Sequence, residues 1–572
     1  MRRTTYILLL LATCLVTRVF YFGFVWADEG LWFTVAQEML RGKTLYREIW
    51  FDKPPALAAI FEGLFSLPIN QLLAVRWFTV LYAFAVALML WRMAAYFWPA
   101  PESGGPRITR WSEGRMAALF YAFYNATYIH SQVQPLAGDH LVLIPYLGSV
   151  WLYLMDRCVW GGVAASLAFQ INPKVAVIAL VFVFIEALRL DPRGWFQRMA
   201  RFTAGFMAGS LPWLWYLTSN GKWDAYVEDF WGWGFRYVGV YSVGEWFSRG
   251  GLRTLNYLGF HAALAMGVIL LFRYAGSGET RERFHSHVLL AWLGASYLGV
   301  AGGGRFYPRY FYLVLPLICL LAARGFRLAL DAPASRAWRT AAAIVVAASL
   351  CVSLIRFHSR TVVLAFQAVT GRQTSYISNW DDTALDRDSR ALASNIVAHG
   401  DPHATLFVWG YRPEIYFYCG CRPVSEFLSS QPLTGVPADI QLTQSRSAAP
   451  IEAARNRMKL ALELHAFRPE FIVDGLGAYN PALAMEQYPE LLEVLARFYR
   501  RDRLEIGHGW IYRRLSPAET LPPIIASLSM TTRHGSVHRF GPEERFQHLP
   551  NLTNGAGHNN LPVSAIIDAV MP

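Results

Sequence analysis

Six short segments set carboxylates and cations against apolar runs: Asp28-Glu29-Gly30, Asp52-Lys53-Pro54-Pro55, Gly138-Asp139-His140, Asn172-Pro173-Lys174, the aromatic stretch 229–237 containing Arg236, and Arg305-Phe306-Tyr307-Pro308-Arg309-Tyr310. A positioned carboxylate can take a proton from a hydroxyl, and a Lys or Arg beside it can hold an anion. Each also has a plainer reading. Asp28 and Asp139 suit helix starts, Lys53 a lysine snorkelling to an interface, Arg236 a cation stacked among aromatics, and Arg305 and Arg309 anchors in an aromatic belt. Lys174 resists the plain reading, because a lysine in the turn of a hairpin inside a membrane is costly unless it faces water, protein or an anion.

The elements that must position these residues are dictated by composition. The chain has 572 residues, of which 54% are hydrophobic and 16% charged, with 21 Trp, 28 Tyr and 37 Phe and a mean hydropathy of +0.26. That excludes a soluble enzyme, a disordered protein and a fibrous one. The net charge of +12, from 52 Lys+Arg against 40 Asp+Glu, fits basic cytoplasmic loops of a polytopic membrane protein, and no nucleic-acid partner is expected.

Apolar runs long enough to cross a bilayer fall near 5–26, 75–97, 115–131, 140–155, 202–218, 254–274, 287–301, 309–323 and 340–355. The first is too long for a signal peptide and lacks a small-residue cleavage site. Residues 161–188, flanked by arginines and broken by Asn172-Pro173-Lys174, read as a short hairpin entering and leaving from one side. The total is about eleven crossings, with the N-terminus cytoplasmic. Arg107, Arg110, Arg273, Arg281, Arg283, Arg324, Arg327, Arg336 and Arg339 then fall on the cytoplasmic side.

The expected organisation is a membrane domain over 1–355, an extracytoplasmic α/β domain over 356–520 and a disordered tail over 521–572. Strands are expected at 404–409, 471–474 and, at a sheet edge, 510–514, with helices beginning near 413 and spanning 489–500. Residues 31–40 read as an amphipathic helix on the membrane surface. Asp386-Arg387-Asp388 matches a nucleotide-sugar metal motif, but reads as the start of a helix over 389–398. The six cysteines show no zinc spacing and suggest no disulfide scaffold, and Cys419-Gly420-Cys421 is too close for an easy bridge. Two sequons, at Asn125 and Asn551, are unpersuasive by position.

In this order, Asp28-Glu29 after the first span, a helix leading to Gly42 and Tyr46, Asp52-Lys53-Pro54-Pro55, Arg76 opening the next span, Gly138-Asp139-His140, Lys174 and the Arg305–Tyr310 segment resemble the GT-C membrane glycosyltransferases. That superfamily includes protein mannosyltransferases and the aminoarabinose transferases acting on lipid A.

The resemblance implies an inverting transferase in a bacterial cell (inner) membrane, moving a sugar from a polyprenyl-phosphate donor to a lipid, glycan or protein acceptor on the outer face. It assigns Asp28 as general base. It assigns Lys53, Lys174, Arg236, Arg305 and Arg309 to the donor phosphate, Asp139 to orienting sugar or acceptor, and Glu29, Asp52, His140 and Tyr310 to the surrounding site. Asp52 stands where one branch places a metal ligand, but the stretch 229–237 lacks the histidine that completes it, so no cofactor is expected to be required, with a divalent metal at Asp52 as the alternative. The rival readings are a lipid-linked glycan transporter and a non-catalytic polyprenyl-lipid binder. Ionisable residues clustered at loop mouths on one face, with no internal repeat, favour the enzyme.

Overall fold

The computed structural model describes residues 2–99, 112–128, 136–219, 221–274, 280–331, 336–372, 381–401, 403–502 and 505–516. The expected tail over 521–572, the second sequon, and Arg107 and Arg110, expected on the cytoplasmic side, lie outside them. The chain is mostly helical up to residue 399, and its strands follow.

The first helices carry the pattern that matters for the site. α1 (Arg3–Val16) is followed by a 3-10 turn, Val19–Tyr21, and α2 (Ala27–Leu40) starts after an extended Trp26. α3 (Pro55–Phe65) has Pro at its first turn, where a missing N–H costs nothing, and α4 (Gln71–Phe97) begins on an Asn70 cap. Among the described residues three helices are long and apolar enough to cross a bilayer: Arg3–Tyr21, Gln71–Phe97 and Arg336–Thr370. A fourth candidate, Val243–Phe260 with Ala262–Tyr274, is bent by 87° at its break. Many large apolar side chains on helices point outward, among them Leu81, Val183, Phe184, Trp215, Phe272 and Ile344, which fits a lipid-covered surface.

Several other apolar runs are helical but interrupted. Residues 309–323 open as a 3-10 turn, Pro308–Leu313, before the helix Leu315–Asp331. The hairpin expected around Lys174 is two helices, Cys158–Ile171 and Ile178–Arg189, joined by Asn172 and the 3-10 turn Pro173–Val177. Asn172 caps that turn through its side chain.

α2 departs from expectation. It does not lie on a surface: ten of its fourteen residues are buried, because α3 and the helix Glu414–Cys419 both pack on it. The approach is close enough that a Cβ on Gly30 would stand 2.6 Å from the backbone nitrogen of Glu414. Glycine is therefore required where the two parts of the chain meet.

The later part forms a five-stranded mixed sheet in the order β2-β1-β3-β5-β4. Its strands are β1 (Thr405–Trp409), β2 (Arg422–Pro423), β3 (Phe471–Asp474), β4 (Tyr499–Arg501) and β5 (Trp510–Arg514). β1 pairs parallel with β2 and β3, while β5 lies antiparallel between β3 and β4. β5 is thus interior rather than the edge strand expected from its sequence, since Tyr499–Arg501 supplies a further partner. Asp386 is not a cap either. The helix begins at Asp381, and Asp386 inside it accepts from the backbone N–H of Val25 and pairs with Arg390. Cys419 and Cys421 form a disulfide, against expectation: Gly420 turns in the left-handed region at φ +66°, which lets so short a loop close.

Candidate active site

α2 starts where the chain leaves the first apolar helix, placing Asp28 and Glu29 in its first turn, where the helix dipole favours negative charge. The two carboxylates face different surroundings. Glu29 is fully buried and grips Arg76 of α4 with both oxygens, at 2.7 and 2.8 Å, while also accepting the backbone N–H of Leu136 at 2.9 Å. The expected substrate role for Glu29 is corrected: both its oxygens are engaged, fastening α2 to Arg76 of α4 and to the backbone of Leu136.

Asp28 turns the other way, with its side chain 18% exposed. One oxygen is 2.6 Å from Nη1 of Arg309, and the other accepts the Tyr411 hydroxyl at 2.6 Å. Burial pushes the Asp28 carboxyl up, but Arg309, the Tyr411 hydrogen bond and Lys53 outweigh it and hold it below the usual carboxylate range. Arg309 stands on the 3-10 turn Pro308–Leu313, and its Nε lies 4.0 Å from Asp139. Asp139, in the short helix Gly138–Leu141, accepts from Asn172 at 2.8 Å and from Lys174 Nζ at 3.3 Å. The Lys174 ammonium sits 2.7 Å from the centroid of the Tyr310 ring, a cation–π contact.

Asp28, Arg309, Asp139, Lys174 and Tyr310, drawn from four separate stretches of chain, therefore form one cluster. Lys53 is at its border, 44% exposed and 2.8 Å from Asp52. The second Asp52 oxygen is buried without a partner. Among the described residues no group of three or more His, Cys, Asp or Glu side chains could hold a metal.

Three assigned residues stand elsewhere. Arg305 is 1% exposed, ion-paired with Asp439, bonded to the Tyr241 hydroxyl at 2.8 Å and packed over the rings of Tyr237 and Tyr241. Tyr307 also donates to Asp439. Arg305 is thus neutralised by the later part of the chain and joins it to the helices, rather than awaiting a phosphate. Arg236 pairs with Glu452 at 2.7 Å, in a separate cavity of about 370 Å³ lined also by Trp50, Asp229 and Trp233. His140 is buried between the rings of Tyr82 and Tyr312, which makes it a packing residue.

Tyr411 and Asn172 are members that the motifs did not identify as site residues. Tyr411 follows β1 by two residues, in a stretch with no catalytic look of its own. Its only prior signal is its place in a loop just past the carboxyl end of a parallel strand. Asn172 is legible as a turn residue, and the turn hides its second role on Asp139.

No family model matches the chain, and no curated protein matches it by sequence. Solved structures do match. ArnT from Cupriavidus metallidurans superposes with a TM-score of 0.53 at 14% identity, covering 89% of this chain and 98% of that one. The Archaeoglobus fulgidus oligosaccharyltransferase, in a complex with Zn and sulfate, gives a TM-score of 0.43 at 12% identity over 89% of this chain and 73% of that one. The ArnT match shows that this chain shares the fold of that structure over most of its length.

Proposed function

We propose that this chain is an inverting glycosyltransferase that moves a sugar from a polyprenyl-phosphate donor to an acceptor hydroxyl on the extracytoplasmic face of a cell membrane. The observation that carries the reading is the Asp28–Arg309–Asp139–Lys174 cluster, in which a partly exposed carboxylate shares one cation with a second carboxylate. An ArnT-like fold supports the same reading.

In a single displacement the acceptor oxygen attacks C1 of the sugar from the face opposite the phosphate. The C1–O bond to phosphate breaks, and the acceptor proton passes to Asp28. The leaving polyprenyl phosphate keeps the electron pair of the broken bond and needs cations, which Arg309 and Lys174 provide, with Lys53 at the border. Arg309 pairs with Asp28 at 2.6 Å. A donor phosphate competes for that guanidinium, so donor binding weakens the pair and makes Asp28 a stronger base when an acceptor is present. Asp139, bound by Asn172 and Lys174, holds the second cation in place.

About eleven crossings with a cytoplasmic N-terminus put this cluster on the outer side, because it lies beyond the end of α1 that is remote from Arg2 and Arg3. The part after residue 356 then stands outside as an α/β domain, closing over the site through Tyr411. The deciding experiment is transfer from a panel of polyprenyl-phosphate sugars by purified protein in lipid, wild type beside Asp28→Asn. Loss of turnover with donor binding retained supports the reading. Equal turnover in both proteins removes Asp28 from the mechanism, and donor binding without transfer in either favours a binder or transporter.

A further inference from the structure

At the end of the helices away from Asp28 lies a cavity of about 610 Å³ between α1, α4 and the helix Leu143–Leu154. It is lined by the apolar Ile7 and Leu88 together with Arg3, Arg92, Trp91 and Trp151. Its position follows from the helices. Arg76 of α4 pairs with Glu29 beside the candidate site, and Arg92 is four and a half turns further along the same helix, roughly 24 Å away at 1.5 Å per residue. Arg3 opens α1, whose other end leads to Asp28. The two arginines therefore meet at the opposite membrane boundary from the carboxylate cluster.

Neither arginine has a carboxylate partner among the described residues, whereas the arginines of the candidate site and of the Asp439 junction are paired. Arg3 stands 5.9 Å from the Trp91 ring centroid, and both arginine side chains are exposed. Two unpaired cations over an apolar groove, rimmed by tryptophans of the kind that settle at headgroup level, complement one ligand: an anion carrying hydrocarbon.

We infer that this groove binds an anionic phospholipid of the leaflet opposite the candidate active site, its phosphate between Arg3 and Arg92 and an acyl chain along Ile7 and Leu88. The inference needs the chain to be in a membrane, but not that it transfers sugar.

The test is native mass spectrometry of the purified full-length protein in detergent, titrated with phosphatidylglycerol or phosphatidylcholine of matched chains. Wild type, Arg3→Gln/Arg92→Gln and the control Arg193→Gln, which removes an exposed arginine outside the groove, are compared. Wild type should hold phosphatidylglycerol at least tenfold tighter than phosphatidylcholine, and the double variant should lose most of that preference, roughly fivefold per arginine. Arg193→Gln should keep it, and phosphatidylcholine binding should be the same in all three, which reports intact folding. Equal binding of the two lipids by wild type, an unchanged preference in the double variant, or full displacement of phosphatidylglycerol by 10 mM inorganic phosphate would each overturn the proposal. The last outcome would show a bare anion site with no part for the groove.

Discussion

Asp28 is held by two partners of different reach, and they separate its tasks. Arg309 acts by charge and Tyr411 by a hydrogen bond, and both favour the ionised form. Asp28→Asn keeps the shape and removes the carboxylate that the proposed mechanism uses as its base. Turnover should fall about 10²- to 10⁴-fold with donor binding retained, measured by transfer and by donor titration on one preparation. Arg309→Gln removes the largest influence holding the Asp28 carboxyl down, so its pKa rises. The acid limb of the pH–rate profile should then move to higher pH, a displacement that simple loss of phosphate affinity does not produce.

The same depression carries a stability consequence. A carboxyl whose folded value lies below its unfolded one stabilises the fold above about pH 3.9, and that stabilisation is lost as pH falls through the folded value. Asp229 has the opposite sign. Burial, with Glu426 and Glu228 nearby, pushes it up to about 8, so the folded chain keeps a proton that the unfolded chain has released. Its effect on stability therefore worsens as pH rises from about 4 to about 8. Asp229→Asn should flatten the fall in thermal midpoint between pH 6 and pH 9, read by a melting curve in detergent.

At the scale of elements, α2 positions Asp28 because Glu29 locks its first turn to α4. Removing one side of a buried, doubly bonded ion pair leaves the other unpaired, at about 3–5 kcal/mol. Arg76→Met should therefore lower the thermal midpoint more than Lys53→Met, whose lysine is 44% exposed. Gly30→Ala addresses a different face of the helix, the one packed on Glu414. The added methyl would meet Glu414 at 2.6 Å, so the helix Glu414–Cys419 must move and carry the preceding Tyr411 loop with it. Reduced turnover with a smaller stability loss than that of Arg76→Met is expected from paired melting and transfer measurements.

At the scale of the whole molecule, the sheet-bearing part works with the helices rather than alongside them. Tyr411 touches the candidate base, and Asp439 receives both Arg305 and Tyr307 from the segment that carries Arg309. Asp439→Asn leaves the Arg305 charge buried and uncompensated, which loosens this junction. Limited proteolysis should cut between residues 372 and 450 faster in that variant, and turnover should fall although Asp439 touches no reacting atom.

The sequence by itself determined the helices, the apolar breaks that become turns, and the residues Asp28, Asp139, Lys174 and Arg309 that could do chemistry. Hydropathy and turn residues act over a few positions and need no partner to be read. It also specified β1 and β3, each a short apolar run between turn signals. What it left undecided was partnership. Glu29 and Asp28 are adjacent and alike, yet one is a fully buried fastener and the other a partly exposed carboxylate in the cluster, because successive residues on a helix face directions about 100° apart and the neighbours there come from distant segments. Arg305 and Arg309 share one motif, but between them the chain passes through a left-handed Phe306 and an extended Tyr307 into a 3-10 turn, which sends the first to Asp439 and the second to Asp28. Tyr411 lies 383 residues from the carboxylate it binds, and no local pattern encodes a contact closed over that length of chain. The tertiary structure alone decided which cations join distant parts of the chain, as Arg305 does at Asp439, and which gather around Asp28 and Asp139.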